Sequence, residues 1–257
     1  MSPATLDLNA DLGEGFGPWG TGDDGLLLRV ISSANLACGF HAGDFSVMAR
    51  TVDLALNCGV AVGAHPGYPD LQGFGRRTMG LSPREVRDAV LYQIGALEAF
   101  LRPRGARLNH VKPHGALYNA AAADAALAEA VATAVRDFDP GLVLVGLSGS
   151  ELVTVGEQMG LRVAREAFAD RAYEADGRLT PRGGPGAVLD GTEEVVARVL
   201  RMVRLGRVRA RTGEDLPLEA QTLCLHGDGP HAVAFAQEVR TALQAEGVAI
   251  APVSRRS

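Results

Sequence analysis

The feature that most constrains the fold is a regular alternation between short apolar segments and longer segments with helical periodicity. Seven short segments have the character of strands, and residues 248–251 are a possible eighth. Because their apolar residues form short continuous runs, they predict strands buried on both faces, as in a parallel sheet. The seven segments are residues 5–9, 34–38, 60–63, 108–112, 142–145, 162–166 and 222–225.

Helical patterns fill the gaps between these strands. The clearest one begins at Ser82, which precedes Pro83 and is followed three positions later by Glu85. This order is typical of an N-cap serine, a first-turn proline and a capping-box glutamate. A second helix is expected to begin near Asp190. Further helices are predicted over residues 45–57, 124–136, 151–159 and 231–245.

Seven strand–helix units in succession, with no long linker or internal repeat, predict one α/β domain over residues 1–257. The expected architecture is an irregular, seven-stranded parallel (β/α) barrel, and a doubly wound open sheet is the alternative. Two segments, residues 67–81 and 168–187, do not fit the unit plan. Loops of this length are usually lids or binding loops, with loss of order as the alternative.

The composition limits the partners of the chain. A formal net charge of −5 argues against a surface for nucleic acid or anionic membranes. The five arginines within residues 201–211 are interpreted as a solvated helix end. Three cysteines without a CxxC spacing indicate neither a disulfide framework nor a cysteine zinc site. Without a signal-peptide pattern or an apolar run of about 18 residues, a cytoplasmic protein is expected.

Polar side chains follow most of the predicted strands. In a parallel barrel the carboxyl ends of the strands meet at one face, where active sites lie. These side chains are Asn9, Asp11 and Glu14 after the first strand, His41 and Asp44 after the second, His65 and Asp70 after the third, Lys112, His114, Tyr118 and Asn119 after the fourth, Glu166, Asp170 and Arg171 after the sixth, and His226 and Asp228 after the seventh.

Carboxylates and histidines placed together in this way predict acid–base catalysis, a divalent metal site, or both. For the metal, Asp11, His41 and His65 follow three neighbouring strands and form a possible site of two histidines and one carboxylate. No HxH or HxxxH spacing supports it independently. A structural role is the alternative for each histidine, and it is the expectation for His110, which lies within an apolar strand.

Two cationic features stand out. Lys112 is the only lysine in a chain whose other basic side chains are arginines. The GFGRR segment that ends in Arg76 and Arg77 offers bidentate hydrogen bonds to an anion, or alternatively anchors its loop through ion pairs. P-loop, GxGxxG and GxSxG patterns are not found, so the common phosphate-loop and serine-hydrolase signatures do not apply.

Seven polar blocks occur in order along nearly the whole chain, and at these blocks the sequence resembles the LamB/YcsF family. It departs from many relatives at Ala10, where they carry cysteine, and at Gly15, where they carry serine, so neither position supplies a required nucleophile. Gly183 and Gly184 stand where relatives often have Ser-Gln. The blocks are residues 7–14 (DLNADLGE), 33–44 (SANLACGFHAGD), 63–70 (GAHPGYPD), 73–77 (GFGRR), 110–119 (HVKPHGALYN), 168–171 (FADR) and 223–228 (LCLHGD).

The resemblance implies a barrel of the glycoside hydrolase/deacetylase type. It also implies ATP-dependent hydrolysis of the lactam of 5-oxoproline (pyroglutamate) to L-glutamate, with Mg²⁺ accompanying the ATP. The family is described as one component of 5-oxoprolinase, working with subunits B and C. A stand-alone metal-dependent deacetylase or carbohydrate hydrolase is the alternative, and a binding subunit without chemistry is a third possibility. A homo-oligomer is possible.

This chemistry suggests roles for the polar side chains. Asp11, Glu14 or His41 would be the general base on water, and Lys112 would stabilise negative charge on oxygen or phosphate. His65 and His114 would protonate the leaving nitrogen or orient phosphate. Arg77 or Arg182 would hold the substrate carboxylate. The remaining expected substrate-binding residues are Asn9, Asp44, Tyr118, Asn119, His226 and Asp228.

Overall fold

The seven predicted strands close into a parallel barrel. The computed structural model describes residues 5–20, 23–189, 191–225 and 232–255. The barrel order is β1-β2-β3-β4-β5-β6-β9, with β9 pairing back onto β1 and every pairing parallel. The strands of the described chain are β1 Thr5–Leu12, β2 Ser33–Ala37, β3 Ala61–His65, β4 His110–Val111, β5 Val143–Leu147, β6 Arg162–Phe168, β7 Arg207–Arg209, β8 Asp215–Pro217, β9 Thr222–Cys224 and β10 Ala249–Ile250.

The barrel is irregular because β1 shares one of its edges between two strands. Its first residues, Thr5 and Leu6, pair with β10, whereas Asp7 to Asn9 pair with β9. The short β10 therefore extends the sheet only at the amino end of β1. The predicted last strand is confirmed, although it is shorter than the apolar run.

The barrel is surrounded by helices, and the predicted ones are present. The capping box at the start of α3 is confirmed: the Ser82 hydroxyl accepts a hydrogen bond from the Glu85 backbone N–H, and the Glu85 carboxylate accepts one from the Ser82 N–H. The helices are α1 Asp24–Leu27, α2 Phe45–Asn57, α3 Pro83–Leu101, α4 Gly115–Ala123, α5 Ala125–Phe138, α6 Glu151–Gln158, α7 Thr192–Leu205 and α8 Ala232–Ala245.

The elements that were not predicted include α1, α4, a 3-10 turn over Arg102–Arg104, and the antiparallel hairpin of β7 and β8. The hairpin changes the interpretation of the arginine-rich segment. Helix α7 ends at Leu205, its C-cap residue Gly206 has a φ of 62°, and the chain then continues as β7. Arg201 and Arg207 both pair with Asp215 of β8. The segment is therefore in part a helix end and in part a hairpin held by ion pairs.

The strands present different chemistry to their two faces. In β1, Leu6, Leu8 and other apolar residues belong to the large core cluster, which includes residues of the surrounding helices. The alternating residues Asp7, Asn9 and Asp11 hydrogen-bond across the barrel interior. Successive side chains of a strand point to opposite faces, so the main apolar core lies between barrel and helices, while much of the barrel interior is polar.

The two long segments, residues 67–81 and 168–187, pack against the carboxyl end of the barrel. In the first, Asp70 donates its backbone N–H to the Phe40 carbonyl oxygen. In the second, Tyr173 forms a bridge with Leu179. Both segments contribute side chains to the cavity described below, as expected for binding loops. None of the helices in the described part of the chain has the length and apolar character needed to cross a membrane.

Candidate active site

A cavity of about 220 Å³ lies at the carboxyl end of the barrel strands. Its walls come from the ends of β1, β3 and β4, from the start of α4, and from the two long loops. Arg76 belongs to the first loop, Arg171 and Leu179 belong to the second, and Phe168 is the last residue of β6. Eight of the residues predicted for the site line this cavity: Asp11, Glu14, His65, Lys112, His114, Tyr118, Asn119 and Arg182.

Lys112 is the centre of a buried charge network at the floor of the cavity. Its Nζ lies 2.8 Å from Glu166 Oε1 and 3.1 Å from Asp11 Oδ1. It also lies 3.1 Å from Asn9 Oδ1 and 3.2 Å from Cys224 Sγ. Burial opposes the ammonium charge, but the surrounding anionic groups outweigh it and raise the pKa of Lys112 well above its usual value. Lys112 is therefore a permanent cation.

Asp11 faces this cation from the end of β1. Asn35 donates to Asp11 Oδ1 at 2.8 Å, and His65 Nε2 lies 3.2 Å from Oδ2. Burial alone would raise the pKa of Asp11, but His65 and Lys112 outweigh it and hold the pKa well below its usual value. The side chain retains 19% exposure to the cavity. Asp11 is thus an ionised carboxylate that a ligand can reach.

Glu166, at the end of β6, is the second counter-charge for Lys112, and its side chain is fully buried. It accepts hydrogen bonds from the Tyr118 hydroxyl at 2.7 Å and from Asn9 Nδ2 at 3.0 Å. Tyr118 lies on α4, one turn after His114, so the helix brings its hydroxyl down to the barrel interior. Asn9 and Tyr118 therefore position the charge network, with Tyr118 also lining the cavity.

Three imidazoles and one carboxylate form a second group beside Asp11. The rings of His41 and His114 stack with centroids 3.7 Å apart, and His65 packs edge-on against both. Glu14 Oε1 lies 3.1 Å from His41 Nε2 and 3.5 Å from His114 Nδ1. Burial, reinforced by the neighbouring imidazoles, lowers the pKa of His41 and of His114 well below the usual value. Both rings are therefore neutral at pH 7.

Glycines make room for these rings. A Cβ on Gly63 would lie 2.1 Å from His110 Nε2, and a Cβ on Gly75 would lie 2.6 Å from His41 Cβ. Within the barrel, His110 Nε2 donates to Asn35 Oδ1 at 2.8 Å, and burial followed by the Lys112 charge lowers its pKa to about 3. His110 is thus a neutral interior side chain, in agreement with its predicted structural role.

Several predicted site residues lie elsewhere. Asp44 caps α2 by accepting from the backbone N–H groups of Ser46 and Val47. Arg77 pairs with Asp70 through a bidentate contact, and its side chain is 64% exposed outside the cavity lining. Asn9 lies below the cavity, and His41 lies behind it with 1% exposure. His226 and Asp228 fall outside the described residues.

Asp24 was not anticipated in this region, and three residues noted in the sequence, Arg76, Glu166 and Arg171, were not assigned a role in the site. Glu166 had a signal, since it ends a predicted strand and the only lysine needs a counter-charge. Arg171 belongs to the FADR block, and its Nη2 donates to the Thr180 carbonyl oxygen at 2.5 Å. Arg76 lines the cavity and its neighbour Arg77 does not. This difference depends on the local backbone and could not be predicted from the sequence.

Comparisons with known proteins agree with this geometry. The LamB/YcsF family profile matches residues 6–257. A relative from Methylococcus capsulatus, named as the A subunit of 5-oxoprolinase, is 61% identical over 96% of this chain and 95% of its own length. One of the same name from Bacillus subtilis is 53% identical over 98% of both chains.

A solved structure extends the similarity to the fold. The crystal structure of the lactam utilization protein from Thermus thermophilus superimposes with a TM-score of 0.91 at 51% sequence identity. The match covers 97% of this chain and all of the other. Because profile, sequence relatives and fold agree over almost the full length, this chain belongs to the LamB/YcsF family.

Proposed function

We propose that this chain is the A subunit of an ATP-dependent 5-oxoprolinase, which hydrolyses the lactam of 5-oxoproline to L-glutamate together with subunits B and C. The observation that carries this proposal is a shared name: relatives at 53–61% identity over nearly the full length are each named as the A subunit of 5-oxoprolinase. The cavity is consistent with it, because it combines an ionised carboxylate, a buried ammonium and arginines at one mouth.

The reaction needs activation because a lactam amide is stabilised by resonance. In the proposed sequence, subunits B and C transfer the terminal phosphate of ATP, bound with Mg²⁺, to the lactam oxygen. Water then adds to the lactam carbon, and the carbon–nitrogen bond breaks as the nitrogen takes up a proton. A second water releases phosphate from the acyl group. The products are L-glutamate, ADP and phosphate.

In this chain, we assign the water-activating role to Asp11. Its ionised carboxylate accepts a proton from the attacking water, and the same proton is then donated to the leaving ring nitrogen. His65, 3.2 Å from Oδ2, orients the carboxylate. Glu14 is less suited, since two imidazoles already contact its Oε1, and His41 does not line the cavity.

Lys112 and the arginines bind the negative charges of the substrate. The permanent Lys112 ammonium lies beside Asp11 and stabilises the charge that develops on the lactam or phosphate oxygen. Arg182 lines the cavity and holds the substrate carboxylate. Arg76 and Arg171 add positive charge to the same cavity. Asn119, at the exposed edge of α4, contacts the substrate.

The test is turnover of 5-oxoproline and ATP by a reconstituted mixture of the three subunits. Asp11→Asn and Lys112→Met should each lower turnover by on the order of a hundredfold or more, the usual effect of removing a group that stabilises developing charge. Asp53→Asn, an exposed aspartate paired with Arg104, is the matched control and should leave turnover unchanged. Near-normal turnover in both site variants would remove these roles.

The same assay separates the proposal from a stand-alone hydrolase. Activity of the isolated chain on acetylated sugars, without ATP and without partner subunits, would replace it with the deacetylase interpretation. We further propose that the chain folds as one domain and works in the cytoplasm, where ATP is available. A single cooperative unfolding transition, seen alike by fluorescence and circular dichroism, is the expected result for one domain.

A further inference from the structure

Four side chains beside Asp11 have the composition and spacing of a cation site. They are Glu14, His41, His65 and His114, and we call them the imidazole cluster. One potential ligand atom from each residue lies within 4.8 Å of the other three. The three histidines are buried, and Glu14 is partly exposed toward the cavity. The proposed ring-opening roles use none of these four to bind a ligand directly.

Two backbone carbonyls determine which ring nitrogens carry hydrogen. His65 Nδ1 lies 2.8 Å from the Lys112 carbonyl oxygen, and His114 Nε2 lies 2.8 Å from the Phe74 carbonyl oxygen. A carbonyl oxygen only accepts, so the ring nitrogen that faces it carries hydrogen and donates. The opposite nitrogens, His65 Nε2 and His114 Nδ1, point into the cluster.

These two nitrogens lie close together. His65 Nε2 and His114 Nδ1 are 3.0 Å apart. Glu14 Oε1 lies 3.5 Å from His114 Nδ1. Metal-binding histidines commonly donate their other ring N–H to a backbone carbonyl, which fixes the ring orientation. His65 and His114 show this arrangement around one compact group of nitrogen and oxygen atoms.

We propose that the imidazole cluster binds one divalent ion of the first-row transition metals, with Zn²⁺ as the type. Ligand atoms about 2.0–2.1 Å from one tetrahedral ion are separated by about 3.3 Å. Three of the six separations within the cluster, 3.0 Å, 3.1 Å and 3.5 Å, are close to that value, and all six lie within 4.8 Å. Three imidazole nitrogens and one carboxylate suit such an ion, whereas Mg²⁺ prefers an all-oxygen octahedron.

The ligand set differs from the one expected from sequence. His41 and His65 belong to both, but Glu14 and His114 join them, and Asp11 instead uses Oδ1 to pair with Lys112. Asp11 Oδ2 remains 3.2 Å from His65 Nε2, at the border of the cluster. An ion held here would supply a Lewis acid beside the proposed water-activating carboxylate.

Metal binding is measured on the isolated full-length chain, so its outcome does not depend on the proposed function. The chain is stripped with a chelator, dialysed, and titrated with Zn²⁺ alone against a fluorescent competitor. We expect one Zn²⁺ per chain and a higher melting temperature with the ion bound. Mg²⁺ should produce neither effect at the same concentrations.

Variants connect the binding to the cluster. Glu14→Gln and His114→Gln should each weaken Zn²⁺ binding by at least about tenfold, since even groups that only support a ligand contribute 10–100-fold. Asp24→Asn is the matched control, because it removes another carboxylate from the same cavity without changing the cluster. Its affinity for Zn²⁺ should remain that of the unaltered chain.

A second readout avoids variants that fail to fold. Co²⁺ added to the unaltered, stripped chain should give intense visible absorption bands typical of a low-coordinate nitrogen and oxygen site, and Zn²⁺ should abolish them by displacement. The proposal is overturned by a chain that binds neither Zn²⁺ nor Co²⁺, by binding that both cluster variants leave unchanged, or by preferential binding of Mg²⁺.

Discussion

The Lys112 ammonium lies 2.8 Å from Glu166 Oε1 inside the barrel, where neither side chain is more than 2% exposed. Removing one partner of a buried ion pair leaves the other charge without compensation, which costs about 3–5 kcal/mol of folding free energy. We expect this loss for Lys112→Met. Chemical denaturation of the isolated chain measures it.

The double variant Lys112→Met/Glu166→Gln tests the cause. Since glutamine carries no charge and can still accept from Tyr118, the double variant should recover part of the lost free energy of unfolding. A cost equal to the sum of the two single costs would contradict the pairing, because additive effects indicate independent side chains.

Gly63 in β3 is expected to be intolerant of any side chain. A Cβ at this position would lie 2.1 Å from His110 Nε2, inside a filled barrel, so Gly63→Ala should destabilise the chain by about 1–3 kcal/mol, as overpacking does. Gly95→Ala is the control, because a Cβ there meets nothing within 4 Å on α3. Helical propensity should make that variant more stable by about 0.5–1 kcal/mol. Equal effects at both positions would refute the steric explanation.

Asp7 should make the stability of the barrel depend on acid pH. Its buried carboxylate accepts from the hydroxyls of Ser32, Ser33 and Thr222, yet burial raises its pKa above the usual value of 3.8. A raised pKa in the folded state means that the native protein holds this proton more tightly than the unfolded chain. Its contribution to folding is therefore greatest below about pH 3.8 and declines as pH rises through the folded-state pKa.

Urea denaturation across acid pH checks this sign. The free energy of unfolding of the unaltered chain minus that of Asp7→Asn should fall with rising pH. For Asp53→Asn the same difference should rise with pH, because the hydrogen bond from Arg104 lowers the pKa of Asp53. Differences of the same sign for the two variants would show that Asp7 is not protonated preferentially in the fold.

Arg182 should govern substrate affinity more than the rate of ring opening. A hydrogen bond to a charged group contributes about 1.5–3 kcal/mol, so Arg182→Met in the three-subunit assay should raise KM for 5-oxoproline by roughly ten- to a hundredfold. The effect on kcat should be smaller. Arg178→Met is the matched control, since Arg178 lies in the same loop but does not line the cavity. If KM stays unchanged in Arg182→Met, another arginine binds the substrate carboxylate.

The barrel could be predicted from sequence because its strands and helices have strong local patterns. The interior could not, as β1 shows. The predicted strand ends at Asn9, but the observed one continues to Leu12. From the sequence, Asp11 was expected to lie in the loop after the strand, because aspartate is uncommon within buried strands. The polar interior of the barrel makes an aspartate acceptable at this position of β1. Helix α4 was missed for a similar reason, since Tyr118 and Asn119 were assigned only to the site.

The grouping of the site residues at one end of the barrel also followed from sequence, but their partners did not. The Arg76 side chain lines the cavity, whereas the Arg77 side chain lies outside it. The difference arises because the chain turns at Phe74 and Gly75, which have φ values of 53° and 61°. A positive φ at phenylalanine is set by tertiary contacts and has no local signal. The four members of the imidazole cluster likewise come from segments far apart in the chain.

The filled barrel interior also determines how molecules travel to and from the site. Below Asp11 and Lys112, buried side chains such as Asn35, His110 and Glu166 occupy the space between the strands. The described part of the cavity is therefore a dead end rather than a tunnel. In the proposed reaction, substrate and product use the same opening, so a partner subunit bound over that opening would have to move before L-glutamate could leave.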